Sequence, residues 1–95
     1  MDCKNLHYSR HAFERMFQRG IDPNSLAQIV ANGEVIADYP EDRPFPSSLL
    51  LGFHADQPVH AVVAHDTVTG DCHIVTIYIA DPEIWDETFK KRRAR

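Results

Sequence analysis

The sequence has no hydrophobic run long enough to cross a membrane, and its first residues lack the apolar stretch of a signal peptide. Internal repeats and low-complexity segments are also missing. The two cysteines, Cys3 and Cys72, form no CxxC pair and are too few for a disulfide scaffold, so we expect reduced thiols. These absences exclude a protein with membrane-spanning helices and predict a protein of the cytoplasm.

The signatures of several enzyme classes are missing as well. No glycine-rich phosphate loop and no dinucleotide-binding fingerprint occurs, and the chain holds only four glycines. Six histidines and two cysteines are many potential metal ligands, but their spacings do not fit a metal site. His60 and His65, for example, point to opposite faces of one predicted strand. We therefore expect no metal and no cofactor, and Cys72 has no activating neighbour for nucleophilic catalysis beyond His73.

The composition is that of an ordinary globular domain, with 43% hydrophobic and 25% charged residues. A chain of 95 residues has room for one core, so we expect a single domain spanning 1–95. The net charge of −4 argues against a general nucleic-acid-binding protein. All but one of the ten Lys and Arg residues nevertheless lie in 1–19 and 90–95, the exception being Arg43. Either the two ends meet and form one basic patch, or 90–95 is a flexible, solubilising tail.

The most informative segment is 9–21, which predicts a helix that ends at Gly20. At 3.6 residues per turn three side chains stack on one face and form what we call the cationic ridge, namely His11, Arg15 and Arg19. The neighbouring arc is apolar and is expected to face a core; it consists of Ala12, Phe13, Met16 and Phe17. Guanidinium groups bind phosphate by paired hydrogen bonds, although a solvated helix face would show the same spacing.

A second helix is predicted from Asp22, as its N-cap, to a left-handed stop at Gly33. A strand over 34–39 follows. The next loop, 40–47, contains three prolines that stiffen its backbone. Arg43 lies on this loop, and as the only cation of the midsection it is a candidate phosphate ligand.

Three further strands are predicted at 48–54, 59–66 and 72–80, and short turns join them into an antiparallel meander. This register would place Gly52, His60 and Tyr78 side by side. One face of the sheet is nearly all apolar and should be covered by the helices; it consists of Leu49, Leu51, Phe53, Val59, Ala61, Val63, Val75, Ile77 and Ile79.

A last helix is predicted from Asp81, with Trp85 and Phe89 one turn apart and packed on the sheet. The predicted fold is therefore α+β, with two N-terminal helices, a four-stranded, mainly antiparallel sheet and a C-terminal helix.

The less apolar face of the sheet is the candidate for chemistry, because His60 and Tyr78 lie together there and can transfer protons. Metal-free cleavage of RNA needs such groups, together with cations around the phosphate. His11 is a candidate for a second proton carrier, and phosphate charge would be stabilised by Arg15, Arg19 and Arg43. The alternative is that His60 and Tyr78 are a cross-strand packing pair.

Segments 9–21, 33–36 and 74–78 together resemble the bacterial domain of unknown function 4258 family, most specifically through the motif residues His11, Arg15 and Arg19. The resemblance implies a fold similar to the small RelE and BrnT group of toxins, whose members cleave messenger RNA without metal and are silenced by a cognate antitoxin. It also implies a genomic neighbour that resembles small zinc-finger antitoxins.

Two hypotheses follow. The first is a toxin-like, metal-independent endoribonuclease of a type II toxin-antitoxin module, which acts on mRNA, free or on the ribosome. The second is a non-catalytic protein-binding module of the same fold, which binds a small zinc-finger, antitoxin-like regulator or a second copy of itself.

Overall fold

The computed structural model describes residues 1–94 and shows two helices packed on one face of a five-stranded sheet. The elements in chain order are β1 (Leu6–Tyr8), α1 (Arg10–Arg19), α2 (Pro23–Asn32), β2 (Glu34–Tyr39), β3 (Ser47–His54), β4 (Gln57–His65) and β5 (Cys72–Ile79). The strand order is β1-β5-β4-β3-β2, and only the β1–β5 pair is parallel. The class is α+β with the two expected helices, but the expected four-stranded sheet with a C-terminal helix is wrong.

The fifth strand, β1, was not predicted because three residues are too short to show an alternating pattern. It pairs with β5 directly after a disulfide between Cys3 and Cys72, whose Cα atoms are 5.5 Å apart. The expectation of reduced thiols is therefore wrong. The disulfide and the parallel pairing together hold the N-terminal segment against β5.

Helix α1 begins and ends as predicted. The Ser9 side chain accepts a hydrogen bond from the backbone of Ala12, and Gly20 takes the left-handed conformation. The expected apolar arc is only half correct, since Ala12 and Met16 are buried whereas Phe13 and Phe17 are 54% and 84% exposed. The helix therefore buries a narrower stripe than its sequence indicates.

Helix α2 has Asp22 as its N-cap, as predicted, but its end differs from the prediction. Gly33 has an extended conformation, with φ of −67°. Glycine is needed here because a Cβ atom would collide with the backbone oxygens of Ile29 and Leu51. Close packing of helix against strand, and not a left-handed stop, therefore explains this residue.

The connection between β3 and β4 is a two-residue hairpin in which Ala55 and Asp56 both have positive φ. The sequence predicted a longer turn, and the register is consequently one residue off. His60 pairs with Leu51 on one side, instead of Gly52, and with Tyr78 on the other as expected. Because of this shift, the two faces of β3 are exchanged relative to the prediction. Leu50 faces the helices, and Leu49 faces the opposite side.

Residues 81–94 form a series of turns in place of the predicted C-terminal helix. The Asp86 carboxylate accepts hydrogen bonds from the backbone and hydroxyl of Thr88, and these local bonds compete with a helix. The segment then folds back, and an antiparallel bridge joins Trp85 to Arg92. Trp85 and Phe89 still pack on the sheet, on the face opposite the helices.

Within residues 1–94 both helices have ten residues, and neither is long and apolar enough to span a membrane.

Candidate functional site

Two of the predicted site residues, His60 on β4 and Tyr78 on β5, lie on the face of the sheet opposite the helices. His60, Val62 and Ala64 alternate on β4 and therefore share one face, which is opposite that of the buried residues between them. Their partners on β5 are Tyr78, Thr76 and His73, despite a register shift at Val62/Val63. We call the surface formed by His73, Thr76 and Tyr78 the β5 face.

His60 is fully buried beneath this face and uses both ring nitrogens. Its Nε2 lies 2.7 Å from the backbone oxygen of Phe89, and its Nδ1 lies 3.1 Å from the hydroxyl of Tyr78. Because a carbonyl oxygen only accepts, the proton is on Nε2, and Nδ1 accepts the hydroxyl proton of Tyr78. Burial lowers the pKa of His60, although the bond to Phe89 opposes this shift. The ring is therefore neutral near pH 7.

Tyr78 is half-buried, and its hydroxyl is held by His60. Burial raises the pKa of Tyr78, and proximity to Tyr39 adds to the rise, whereas the positive charge of Arg92 opposes it. The phenol thus stays protonated near neutral pH. Because its proton points toward His60, the free lone pair of the oxygen is available as an acceptor for a ligand.

The C-terminal segment adds two residues to the site that sequence reasoning missed. The Trp85 ring meets the His60 ring edge-on at 4.4 Å, and the Arg92 guanidinium lies 5.6 Å from the Trp85 centroid. Arg92 was assigned to the basic tail 90–95, the last residue of which lies outside the described part of the chain. The turn-forming pair Asp86 and Thr88 is the signal in the sequence that this segment folds back.

His11 reaches the edge of the β5 face from α1. Its Nε2 lies 3.2 Å from the hydroxyl of Thr76, and the Ser9 hydroxyl donates to the backbone oxygen of Val75 at 3.3 Å. Thr76 and Tyr78 are two residues apart on one strand, so their Cα atoms are separated by about 7 Å. The cationic ridge therefore starts beside the β5 face.

The three predicted phosphate ligands are all exposed. Arg15 and Arg19 lie one and two turns beyond His11 on the cationic ridge. Arg43 lies in the loop before β3, two residues ahead of Phe45, whose ring stacks on His73. Within residues 1–94 none of the three arginines forms an ion pair. The structure thus brings His60 and Tyr78 into contact and places His11 near them, but it does not join the arginines to this cluster.

The larger depressions of the surface are not lined by His60 or Tyr78. One of about 600 Å³ between α2, β3 and the C-terminal segment is lined by Ile29, Gly52 and Lys90, among others, and by none of the predicted site residues. Among residues 1–94 no three His, Cys, Asp or Glu side chains converge as metal ligands. The candidate site is therefore a surface without a deep pocket, on which Tyr78 and His11 are accessible and His60 lies buried below.

Comparison with known proteins gives one match. A family model described as "Domain of unknown function (DUF4258)" matches residues 8–79, a range that includes His11, His60 and Tyr78 but ends before Trp85 and Arg92. No curated protein and no solved structure matches the chain. The relation to the RelE and BrnT group stays a prediction.

Proposed function

The chain belongs to the family described as a domain of unknown function (DUF4258), and we propose that this member is a toxin-like endoribonuclease that cleaves mRNA without a metal ion. The contact between Tyr78 and His60 carries the proposal. The Tyr78 hydroxyl is accessible, and its proton is directed at the neutral, buried imidazole of His60. Such a pair can accept a proton from a substrate hydroxyl.

In the proposed reaction the 2′-hydroxyl of RNA attacks the adjacent phosphorus. Its proton passes to the Tyr78 oxygen while the phenolic proton moves to Nδ1 of His60. The new bond joins the 2′-oxygen to phosphorus, and the bond from phosphorus to the 5′-oxygen breaks. His11, in its protonated form, donates the proton to that leaving oxygen. The products are a 2′,3′-cyclic phosphate and a 5′-hydroxyl, and solvent restores the protons.

Cations near this position would stabilise the charge that develops on the phosphate. Arg92 is close enough to Tyr78 for its positive charge to lower the pKa of that phenol. Arg15 and Arg19 continue from His11 and would bind the neighbouring phosphates of the strand. Arg43 would bind a phosphate further along, near the other end of β5.

A protein acting on mRNA would work in the cytoplasm, in a module with a cognate antitoxin.

The second hypothesis, a non-catalytic protein-binding module, is favoured by a different observation. Phe13 and Phe17 are exposed and line an apolar depression of about 360 Å³ with Ile21 and Pro23. Exposed aromatic side chains of this kind are typical of protein interfaces.

Incubation of the purified protein with end-labelled RNA in the presence of EDTA tests the proposed activity. We expect cleavage that leaves a 2′,3′-cyclic phosphate, and a rate lowered about 100-fold or more in Tyr78→Phe and His11→Ala. Tyr8→Phe is the matched control, since the Tyr8 hydroxyl makes no hydrogen bond among residues 1–94. Thermal melting shows whether each variant is folded. Undiminished cleavage by Tyr78→Phe, or no cleavage by the native protein, would contradict the proposal.

A further inference from the structure

Three rings form a stacked column on the β5 face, at the end opposite Tyr78. The His7 and His73 centroids are 4.9 Å apart with planes inclined by 19°, and the His73 and Phe45 centroids are 5.3 Å apart with planes inclined by 12°. None of these rings belongs to the proposed proton-transfer cluster. The column therefore needs a separate explanation.

The topology of the sheet explains how the column forms. His7 lies opposite His73 because β1 and β5 are parallel neighbours in that register. On the other side of His73 the partner is Ala64, whose small side chain leaves room for Phe45 to fold in from the proline-rich loop. Since β1 is the edge strand, no further strand covers the outer face of His7, and the side chain is 51% exposed.

The terminal ring is also held in place. Nε2 of His7 lies 3.0 Å from the Asp71 carboxylate, and the Asn5 amide donates to the other oxygen of that carboxylate at 3.0 Å. These bonds, that from His7 first, lower the pKa of Asp71. The carboxylate thus stays ionised and fixes the plane of the ring, so a ligand that stacks on His7 would not have to order it.

We infer that the outer face of His7 is a stacking site for one unpaired base of an RNA strand that lies along β5. The inference rests on the proposed function, because the column and Tyr78 share one face and one strand. The distance from His73 to Tyr78 along β5 is roughly 15 Å, which a few nucleotides can span. Stacking on an exposed ring accepts any base.

The charges around His7 fit a nucleic acid strand better than an aromatic peptide. Lys4 and Arg10 lie within three residues of His7 and are exposed, and Arg10 also donates from Nε to Glu14 Oε1 at 3.3 Å. Both are cations that would attract the phosphates next to a stacked base. Asp71 is the acidic group closest to the ring, and its carboxylate is already engaged by His7 and Asn5. A positively charged peptide would be repelled by both cations, Lys4 and Arg10.

The test is binding of a fluorescent, single-stranded 2′-O-methyl RNA, which cannot be cleaved through its 2′-position. We expect His7→Ala to weaken binding about tenfold or more, and His7→Phe to restore most of the affinity because it keeps the stacking surface. His54→Ala, at the far end of β3, is the control and should bind like the native protein. In the native protein, NMR should show upfield shifts of the His7 ring protons when the RNA is added.

The outcomes separate this inference from the proposed function. Native affinity in His7→Ala, or equal loss in His7→Phe and His7→Ala, would overturn the stacking site even if the native protein cleaves RNA. Unshifted His7 resonances would overturn it as well. No cleavage by the native protein, together with a tenfold loss of binding in His7→Ala, would by contrast contradict the proposed function and leave the stacking site supported.

Discussion

His60 is the residue on which the candidate site depends, because its two ring nitrogens bind different parts of the molecule. One contacts Tyr78 on β5, and the other contacts Phe89 in the C-terminal segment. The sequence left two interpretations open, a proton carrier or a packing residue. With no exposed surface, the ring cannot touch RNA. Any part that it takes in catalysis must therefore pass through the Tyr78 hydroxyl.

The burial of His60 makes the stability of the protein depend on pH in a defined direction. The pKa of His60 in the folded protein lies below its ordinary value of 6.5, so as the pH falls the unfolded chain binds the proton first. The free energy of unfolding should therefore decrease below about pH 6.5, by at most about 1.4 kcal/mol per pH unit from this group, until the folded protein binds the proton too.

Urea unfolding of the native protein and of His60→Gln from about pH 5 to about pH 8 measures this contribution. Glutamine can still donate to the Phe89 carbonyl but does not titrate. The variant should lose less stability than the native protein on acidification. If His60→Gln and the native protein had parallel curves, His60 would not be the titrating group.

Among the helices and strands, the sequence predicts those whose signals are local. Both helix starts were correct because Ser9 and Asp22 bind backbone groups three residues ahead. The strand over 34–39 was correct as well. These elements need no information from distant parts of the chain.

The errors occur where distant partners decide the structure. The Ala55-Asp56 turn contains no glycine or asparagine, the residues that usually indicate a hairpin with positive φ. The register predicted for β3 was therefore wrong by one residue. A strand as short as β1 forms only because it can pair with the edge of β5. The same holds for the exposure of Phe17, which depends on where α1 meets the sheet.

The C-terminal segment should depend on Trp85 for its position on the sheet. Trp85 is only 9% exposed and packs with Leu49 and Ala80, so Trp85→Ala should lower the free energy of unfolding by about 3 kcal/mol. Loss of the ring also lets water reach His60, and its pKa, followed by NMR, should rise toward 6.5. Ile84→Ala is the control, because that side chain is 41% exposed. Equal effects of the two substitutions would show that the segment is not anchored by Trp85.

Around β5 the fold brings together candidate site residues from elements that are distant in sequence. His11 and Thr76 are 65 residues apart, and His60 and Phe89 are 29 apart. The sequence could predict that His60 and Tyr78 are neighbours, because adjacent antiparallel strands fix that pair. It could not place Arg92, whose position follows from a segment that folds back on itself, or His7, whose position follows from the pairing of β1 with β5.

The disulfide between Cys3 and Cys72 links the first residues to β5 across 69 positions of sequence. Closing so long a loop restricts the unfolded chain, so reduction should lower the free energy of unfolding by about 4 kcal/mol. The effect should be largest at β1, which has only three residues. Amide hydrogen exchange in dithiothreitol should therefore rise in β1 while β3 and β4 stay protected.

Because His7 lies on β1, reduction should also weaken binding of the uncleavable RNA. The double variant Cys3→Ala, Cys72→Ala is the control. It should match the reduced native protein in melting temperature and should not respond to dithiothreitol. If the native protein melted at one temperature with and without reductant, the disulfide would contribute nothing to the stability of the fold, and β1 would be held by its pairing with β5 alone.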